Sequence, residues 1–221
     1  MSKKLYMVSL GPGDHELITL KALKALQNSD AIVVPTKSSD NSFTRSMTHK
    51  IVSKLMDEFG FDKPLIPMYS PMNFKHEDWQ RQANIIIDSL ADYDNVSFVT
   101  LGDSGVYSSV YYLYELFSND IQDYTEVIPG VTSFSQSSAL VKKPICLGDS
   151  GFEVIPLIGK EVPKTTVYMR PKVGLDTKEI EEQGDIYTFE NLNYKNQNII
   201  EGKKSIVDRY MTLFIDFFKS K

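Results

Sequence analysis

The chain has 221 residues, 42% hydrophobic and 11% aromatic, enough to build one large core or two smaller ones. Its 24 Lys+Arg against 29 Asp+Glu give a formal net charge of -5, which argues against broad electrostatic adhesion to nucleic acid or to anionic lipid. No basic-then-apolar leader and no apolar run of about 18 residues is seen, so a soluble, cytoplasmic protein without membrane or nucleic-acid partners is expected.

Taken in order, "LYMVSL" reads as a buried strand, and Leu17, Leu20, Leu23 and Leu26 mark a helix ending near Asn28. "AIVVP" is a second strand. Residues 44–59 read as a helix through Met47, Ile51, Leu55 and Phe59, and "PLIPM" follows as a short strand. A loop over 70–76 leads to a helix whose apolar face carries Trp79, Ala83, Ile86, Ile87 and Leu90, and then to strand "VSFVTL". Strands alternating with helices predict parallel crossovers. A further helix is expected over 110–117, and the polar "SNDIQDY" reads as a domain boundary, giving domains 1–119 and 120–221. Strand "TEVIP" and a serine-rich helix over 131–140 open the second part. The closely spaced strands "FEVIPLI", "TTVYMR", "DIYTF" and "YMTLFIDFF" then predict an antiparallel or mixed sheet.

Three glycine-containing turns end predicted strands: "SLGPGD" at 9–14, "TLGDSGVYSS" at 100–109 and "IPGVTSF" at 128–134. Ligands gather at the carboxyl ends of strands in an open parallel sheet, so the three turns are expected to form three walls of one pocket. The first turn is no dinucleotide fingerprint. Glu16 stands where G-x-G-x-x-G requires its third glycine, and Asp14 where a pyrophosphate would come closest. Two carboxylates at a helix start suit the helix dipole and repel a phosphate, so the ligand should be neutral or partly cationic there.

These turns, in this order, resemble the tetrapyrrole methylases, which use S-adenosylmethionine. "VSLGPGDHELITLKALKALQNSDAIVVP" is similar to that family's opening strand, turn and helix, "LGDSGVYSS" to its Gly-Asp-Pro loop, and "IPGVTSF" to its Pro-Gly-hydrophobic-Ser motif. The resemblance implies an α/β fold of two domains, a parallel-sheet N-terminal and a mixed-sheet C-terminal one. It also implies a homodimer with the cofactor in the cleft between the domains. Carried over by position, the cofactor contacts are Pro12, then Gly102, Asp103, Val106 and Tyr107, then Thr132 and Ser133, with Met169 and Thr212 at weaker C-terminal motifs. The order of "VVPTKSSDNSFTRSM", "PLIPMYSPM" and "EDWQRQANIIIDSL" is most similar to the branch that methylates carbon 20 of precorrin-2 or cobalt-factor II. Such a substrate bears many carboxylates, for which Lys37 and Arg45 are the candidate partners. The family's proline after Gly-Asp is Ser104 here, which predicts a less rigid loop, and the stretch 161–204 is shorter than in relatives.

The chemistry of the residues agrees. A sulfonium and an ammonium suit Asp103, and small residues at Gly102, Gly105 and Gly130 let backbone groups approach a ligand. His15, His49 and His76 show no ligand spacing with one another or with Cys146, so no metal site is expected and the histidines read as surface or turn residues. Cys146, between Ile145 and Leu147, reads as a small buried residue. Trp79 reads as core, Tyr111 and Tyr114 as either core or substrate wall, and Lys50, Lys142 and Lys143 as solvated surface. No Ser/His/Asp set or paired carboxylates emerge, and methyl transfer requires none, so no catalytic residue is named. The readings left beside a corrin methylase are another tetrapyrrole position, diphthine synthase, or a non-catalytic ligand-binding relative.

Overall fold

The computed structural model describes residues 3–71, 75–148, 150–155, 164–169, 171–180, 182–192 and 194–217. They form two compact units, divided between Gly151 and Phe152.

The first unit is a five-stranded parallel sheet. Its strands are β1 (Lys4–Ser9), β2 (Ala31–Thr36), β3 (Leu65–Tyr69), β4 (Asn95–Thr100) and β5 (Thr125–Ile128), in the order β3-β2-β4-β1-β5. Its helices are α1 (Leu20–Asn28), α2 (Met47–Phe59), α3 (His76–Asp92), α4 (Val110–Tyr114), α5 (Asn119–Asp123) and α6 (Ser133–Val141). Alternation along β1 builds the two faces. Val8 and Leu10 pack with Leu26 of α1 and with Ile51 and Leu55 of α2, while Leu5 and Met7 pack with Ile86 of α3 and Leu113 of α4. The central strands β1, β2 and β4 are therefore buried on both sides, as a parallel sheet demands, and the edge strands β3 and β5 only in part.

The register explains where the sequence expectations shift. The chain was expected to divide at 119/120, yet β5 pairs residue by residue with β1, from Leu5 opposite Thr125 to Val8 opposite Ile128, which keeps it in the first unit. The polar boundary stretch is instead the short helix α5. In α2 the buried face is Thr48, Ile51, Val52 and Leu55, and Met47 and Phe59 are exposed. Strict four-residue spacing drifts about 40° per step around a helix, carrying the ends of such a stripe off the core. Leu20, the first residue of α1, is exposed.

The second unit is a four-stranded sheet of β6 (Thr166–Met169), β7 (Asp185–Glu190), β8 (Asn198–Glu201) and β9 (Thr212–Phe217), ordered β6-β9-β7-β8 and antiparallel in every strand pair. β8 was not anticipated. Of the expected strand "FEVIPLI", residues 152–155 have no regular structure and the remainder lies outside the described residues. Within this unit Ile186, Val207 and Phe214 form a small apolar core.

Candidate functional site

β1 and β4 are neighbours, yet the helices that follow them lie on opposite faces of the sheet: α1 packs with the first cluster and α4 with the second. Such a switch point opens a crevice at the carboxyl ends of the two strands. Gly11 and Gly102 sit there, and each donates its N–H to the other's carbonyl, at 3.1 and 2.7 Å. Both have a positive φ, 75° and 78°, which only glycine adopts without strain.

The third turn closes onto the same point. A Cβ on Gly130 would lie 2.7 Å from the Gly102 carbonyl oxygen and 2.7 Å from the Ser9 Cβ, so the glycine is what allows β5 to deliver its turn against the other two. The three turns thus meet at one place, where Gly130 comes against Gly102, Gly11 and Ser9.

Each turn is fixed by its own polar side chains. Asp14 accepts from the Glu16 N–H at 3.0 Å, and Thr19 then caps α1 through Ala22. Buried Ser9 Oγ accepts from the Ser104 N–H at 2.9 Å, a bond that proline at 104 would abolish. The loop expected to be looser than a Gly-Asp-Pro turn is therefore tied by a buried hydrogen bond. Asp103 accepts from the Gly105 N–H at 2.9 Å, and Ser108 lies between the Thr100 hydroxyl and the Val110 N–H, at 3.3 Å from each. Thr132 caps α6 through Ser135. Several backbone groups that the sequence offered to a ligand are thus engaged: the Gly102 N–H is taken by Gly11 and the Gly105 N–H by Asp103. What remains is space, since an added Cβ on Gly13 or Gly102 would touch nothing within 4 Å.

Around this point Pro12, Asp103, Val106 and Thr132 are partly buried, and Ser133 is exposed. Tyr107 is 66% exposed and holds φ at 49°, an uncommon conformation for an aromatic residue. Tyr111, half-exposed and edge-on to Tyr114, has its phenol pushed above 10 by burial first, then by the Asp103 charge and by Tyr114. At neutral pH it is a hydrogen-bond donor and not a base. Lys37 and Arg45 are exposed, in the loop after β2, the neighbour of β4 on the side away from β1. Met169 and Thr212 belong to the second unit: Met169 is exposed, and buried Thr212 donates to the Arg209 carbonyl at 2.8 Å.

Sequence reasoning missed Ser9, Gly11 and Ser108 as the ties of the site. A buried serine ending an otherwise apolar strand was the available signal for the first. Cys146 is exposed, because the chain after α6 runs without regular structure and nothing among the described residues folds over it. Trp79 packs against the second core cluster and stacks on Tyr112 at 5.3 Å. His15, mostly buried, lies 2.8 Å from Glu58 at Nε2, and His49 stacks on Phe43 at 4.3 Å. Among the described residues no cluster of His, Cys, Asp or Glu has metal-binding geometry, and no helix is long and apolar enough to cross a membrane.

The model of the Tetrapyrrole (Corrin/Porphyrin) Methylases matches residues 4–203 of this chain. A probable cobalt-precorrin-2 C(20)-methyltransferase of Methanocaldococcus jannaschii is 28% identical over 181 residues, spanning 82% of this chain and 75% of that protein. The cobalt-precorrin-2 C(20)-methyltransferase of Salmonella typhimurium is 27% identical over 166 residues, spanning 73% and 66%. Among solved structures, a cobalt precorrin-4 methyltransferase overlays 97% of this chain and 93% of its own with a TM-score of 0.50 at 17% identity, a likeness of fold.

Proposed function

The chain belongs to the tetrapyrrole methylases, and on that premise we propose that it methylates carbon 20 of precorrin-2 or of cobalt-factor II in cobalamin biosynthesis. The observation that carries a methyl-transfer site is the convergence of three strand-end turns on the Gly11–Gly102 bridge, with Asp103 beside it. The choice of substrate is supported by the relatives named for the precorrin-2 carbon-20 reaction.

Tetrapyrrole methylases use S-adenosylmethionine, which supplies an electrophilic methyl group on a sulfonium centre. The residues fit such a ligand. Asp103 offers a negative charge to its cationic groups, the open space over Gly13 and Gly102 admits close approach, and the carboxylates Asp14 and Glu16 in the first turn disfavour a phosphate. Pro12, Gly102, Asp103, Val106, Tyr107, Thr132 and Ser133 are the proposed contacts. Met169 and Thr212 rest on the resemblance alone. Lys37 and Arg45 are the proposed partners of substrate carboxylates, Arg45 as a bidentate fork. A displacement at a sulfonium methyl depends on in-line positioning and exclusion of water, so the side chains' task is to hold and desolvate. Carbon 20 must lose a proton once methylated, and no side chain is assigned as its acceptor.

The test supplies precorrin-2 and cobalt-factor II with methyl-labelled cofactor and locates the new methyl by NMR. A methyl on carbon 20 of either is expected. A methyl on another ring carbon, or none on either substrate, overturns the assignment. Calorimetry with S-adenosylhomocysteine reads the site separately: Asp103→Ala should weaken binding by about 1.5–3 kcal/mol. Asp103→Asn keeps an acceptor for the Gly105 N–H and removes only the charge. Unchanged affinity in both variants removes Asp103 from the site.

A further inference from the structure

The carboxyl edge of the first sheet is divided by charge. After β1 and β4 stand Asp14, Glu16 and Asp103, whereas the loop after β2 carries Lys37 and Arg45, and its Asp40 accepts from the Ser42 N–H at 2.9 Å. Beyond β2 lies the edge strand β3, and a guanidinium is fixed at its end. Arg81, on the first half of α3, donates through one terminal nitrogen to the Tyr69 carbonyl at 2.9 Å and through the other to Asp78 at 3.0 Å, and it lies 5.2 Å from the centre of the Tyr69 ring. The reaction proposed above does not use it.

Strand register fixes where that group stands. Val33 of β2 is opposite Phe98 of β4, and Thr36 is opposite Tyr69, so the ends of β2 and β3 are level with Leu101, the residue before Gly102. The guanidinium therefore lies at the height of the Gly11–Gly102 bridge and two strands aside from β4, roughly 10 Å at ordinary strand spacing. A tetrapyrrole with acidic side chains, reacting at the bridge, is broad enough to cover that distance. The group is also open to a ligand. Its side chain is 39% exposed, and among the described residues two of its five N–H groups are taken. It lines a groove of about 550 Å³ along α3, with the donors His76, Gln80 and Asn84 and the acids Glu77 and Asp88, so there is room beside it for an incoming group. Because Tyr69 and Asp78 already hold the side chain, docking an anion on it freezes little further motion.

We infer that Arg81 is a carboxylate anchor for the substrate, at the outer end of a row that begins with Lys37 and Arg45. The inference rests on the tetrapyrrole reading above. A carboxylate reaching β3 meets a planar fork of donors there, the geometry that an arginine offers and a lysine does not. The acids of the first two turns repel the same carboxylates from the β1 side of the bridge, so the acidic rim of the macrocycle is turned toward β3. A purely structural Arg81, serving only to tie α3 to β3, is the alternative role, and the two roles part at Asp78. A tie is broken by the loss of either partner, whereas an anchor keeps its cation, and sheds a competing acid, when Asp78 alone is neutralised.

Steady-state kinetics of the full chain test it, with S-adenosylmethionine and whichever of precorrin-2 and cobalt-factor II is methylated. Arg81→Gln should raise KM for the tetrapyrrole about tenfold and leave kcat within about twofold. Its affinity for S-adenosylhomocysteine and its far-UV circular dichroism should match wild type. The gap in KM should narrow as salt is raised from about 0.05 M to about 0.5 M, because the contact joins partly exposed charges. Arg81→Lys restores the charge without the fork and should recover part of the loss. Asp78→Asn should hold the tetrapyrrole at least as tightly as wild type. An unchanged KM in Arg81→Gln, or a fall in kcat alone, overturns the inference; so does an equal loss in Arg81→Gln and Asp78→Asn, which would make the pair structural. A wild type that methylates neither tetrapyrrole removes the proposed reaction and this inference together, a result distinct from a failure at Arg81 alone.

Discussion

The two units are stabilised by opposite means. In the first, a parallel sheet is enclosed by helices on both faces, and side chains as large as Phe98, Leu5 and Met7 have no exposed surface at all. In the second, three buried apolar residues make the core among the described residues, and the buried face of the sheet is held by the buried Thr188 hydroxyl and Asp216 carboxylate, which grip loop backbone. Apolar contact is non-directional and tolerates small shifts, whereas each of those polar groups has one partner geometry and is costly when left alone. The proposed methyl-transfer turns draw on both: the packed sheet delivers them, and polar side chains such as Ser9 and Asp103 then tie their loops. Their positions are set by strand register within a close-packed frame, while the second unit fixes loops by individual bonds.

Three substitutions strain this contrast, the first two read by hydrogen exchange resolved along the chain and the third by thermal melts across pH. The largest effect is expected from Phe98→Ala, which empties the middle of the second core cluster and should cost about 3–5 kcal/mol. Protection should fall throughout residues 3–151 and persist over 164–217; equal loss in both would show that the units do not open separately. Asp216→Ala comes next, at about 1–3 kcal/mol, because it strips two N–H groups of their acceptor. Its loss of protection should be confined to the second unit and centred on Gln183 and Gly184, and a spread into the first unit would break the contrast. The smallest effect concerns His49, whose imidazole is held below 6.5 by burial against Phe43. The unfolded chain then takes up the proton first as pH falls. Stability of the first unit should be unaffected by this group above about pH 7, fall as pH drops through about 6.5, and level off below the depressed folded-state value. His49→Gln should flatten that part of the profile in thermal melts. A profile identical to wild type would assign the acid sensitivity elsewhere.

Much of the first unit was legible because its strands and helices carry distinct periods. The apolar runs of β1, β2 and β4 and the face of α3 announce themselves, and the turns between them fall where glycine and proline stand. Order within the sheet was not legible. Nothing local says that β5 lies beside β1, so the division of the chain was expected some thirty residues early, and the Gly11–Gly102 bridge, which joins turns ninety residues apart, could not be foreseen. β8, four residues between a turn and Gly202, is too short for alternation to declare itself. In the second unit the sequence also misled by polarity: Thr188, Glu190 and Asp216 look like solvent-facing positions, and the register turns them inward. For the site, the turns could be found from residues alone. Their hydrogen-bonding partners, which decide which backbone groups stay open to a ligand, could not.

The Ser9–Ser104 bond makes the histories of two positions depend on each other. With serine at 104, the N–H that points at Ser9 is buried, and any residue at 9 without an acceptor strands it. With proline at 104 there is no N–H to satisfy, and position 9 is released from that duty. A chain moving from the serine to the proline arrangement must therefore change residue 104 before residue 9, and one moving back must change residue 9 first, because the other order passes through a form with an orphaned donor at the heart of the three turns. The effect of a substitution at residue 9 thus cannot be transferred between members of the family without first reading residue 104, and the two exchanges should be strongly non-additive when made in both orders.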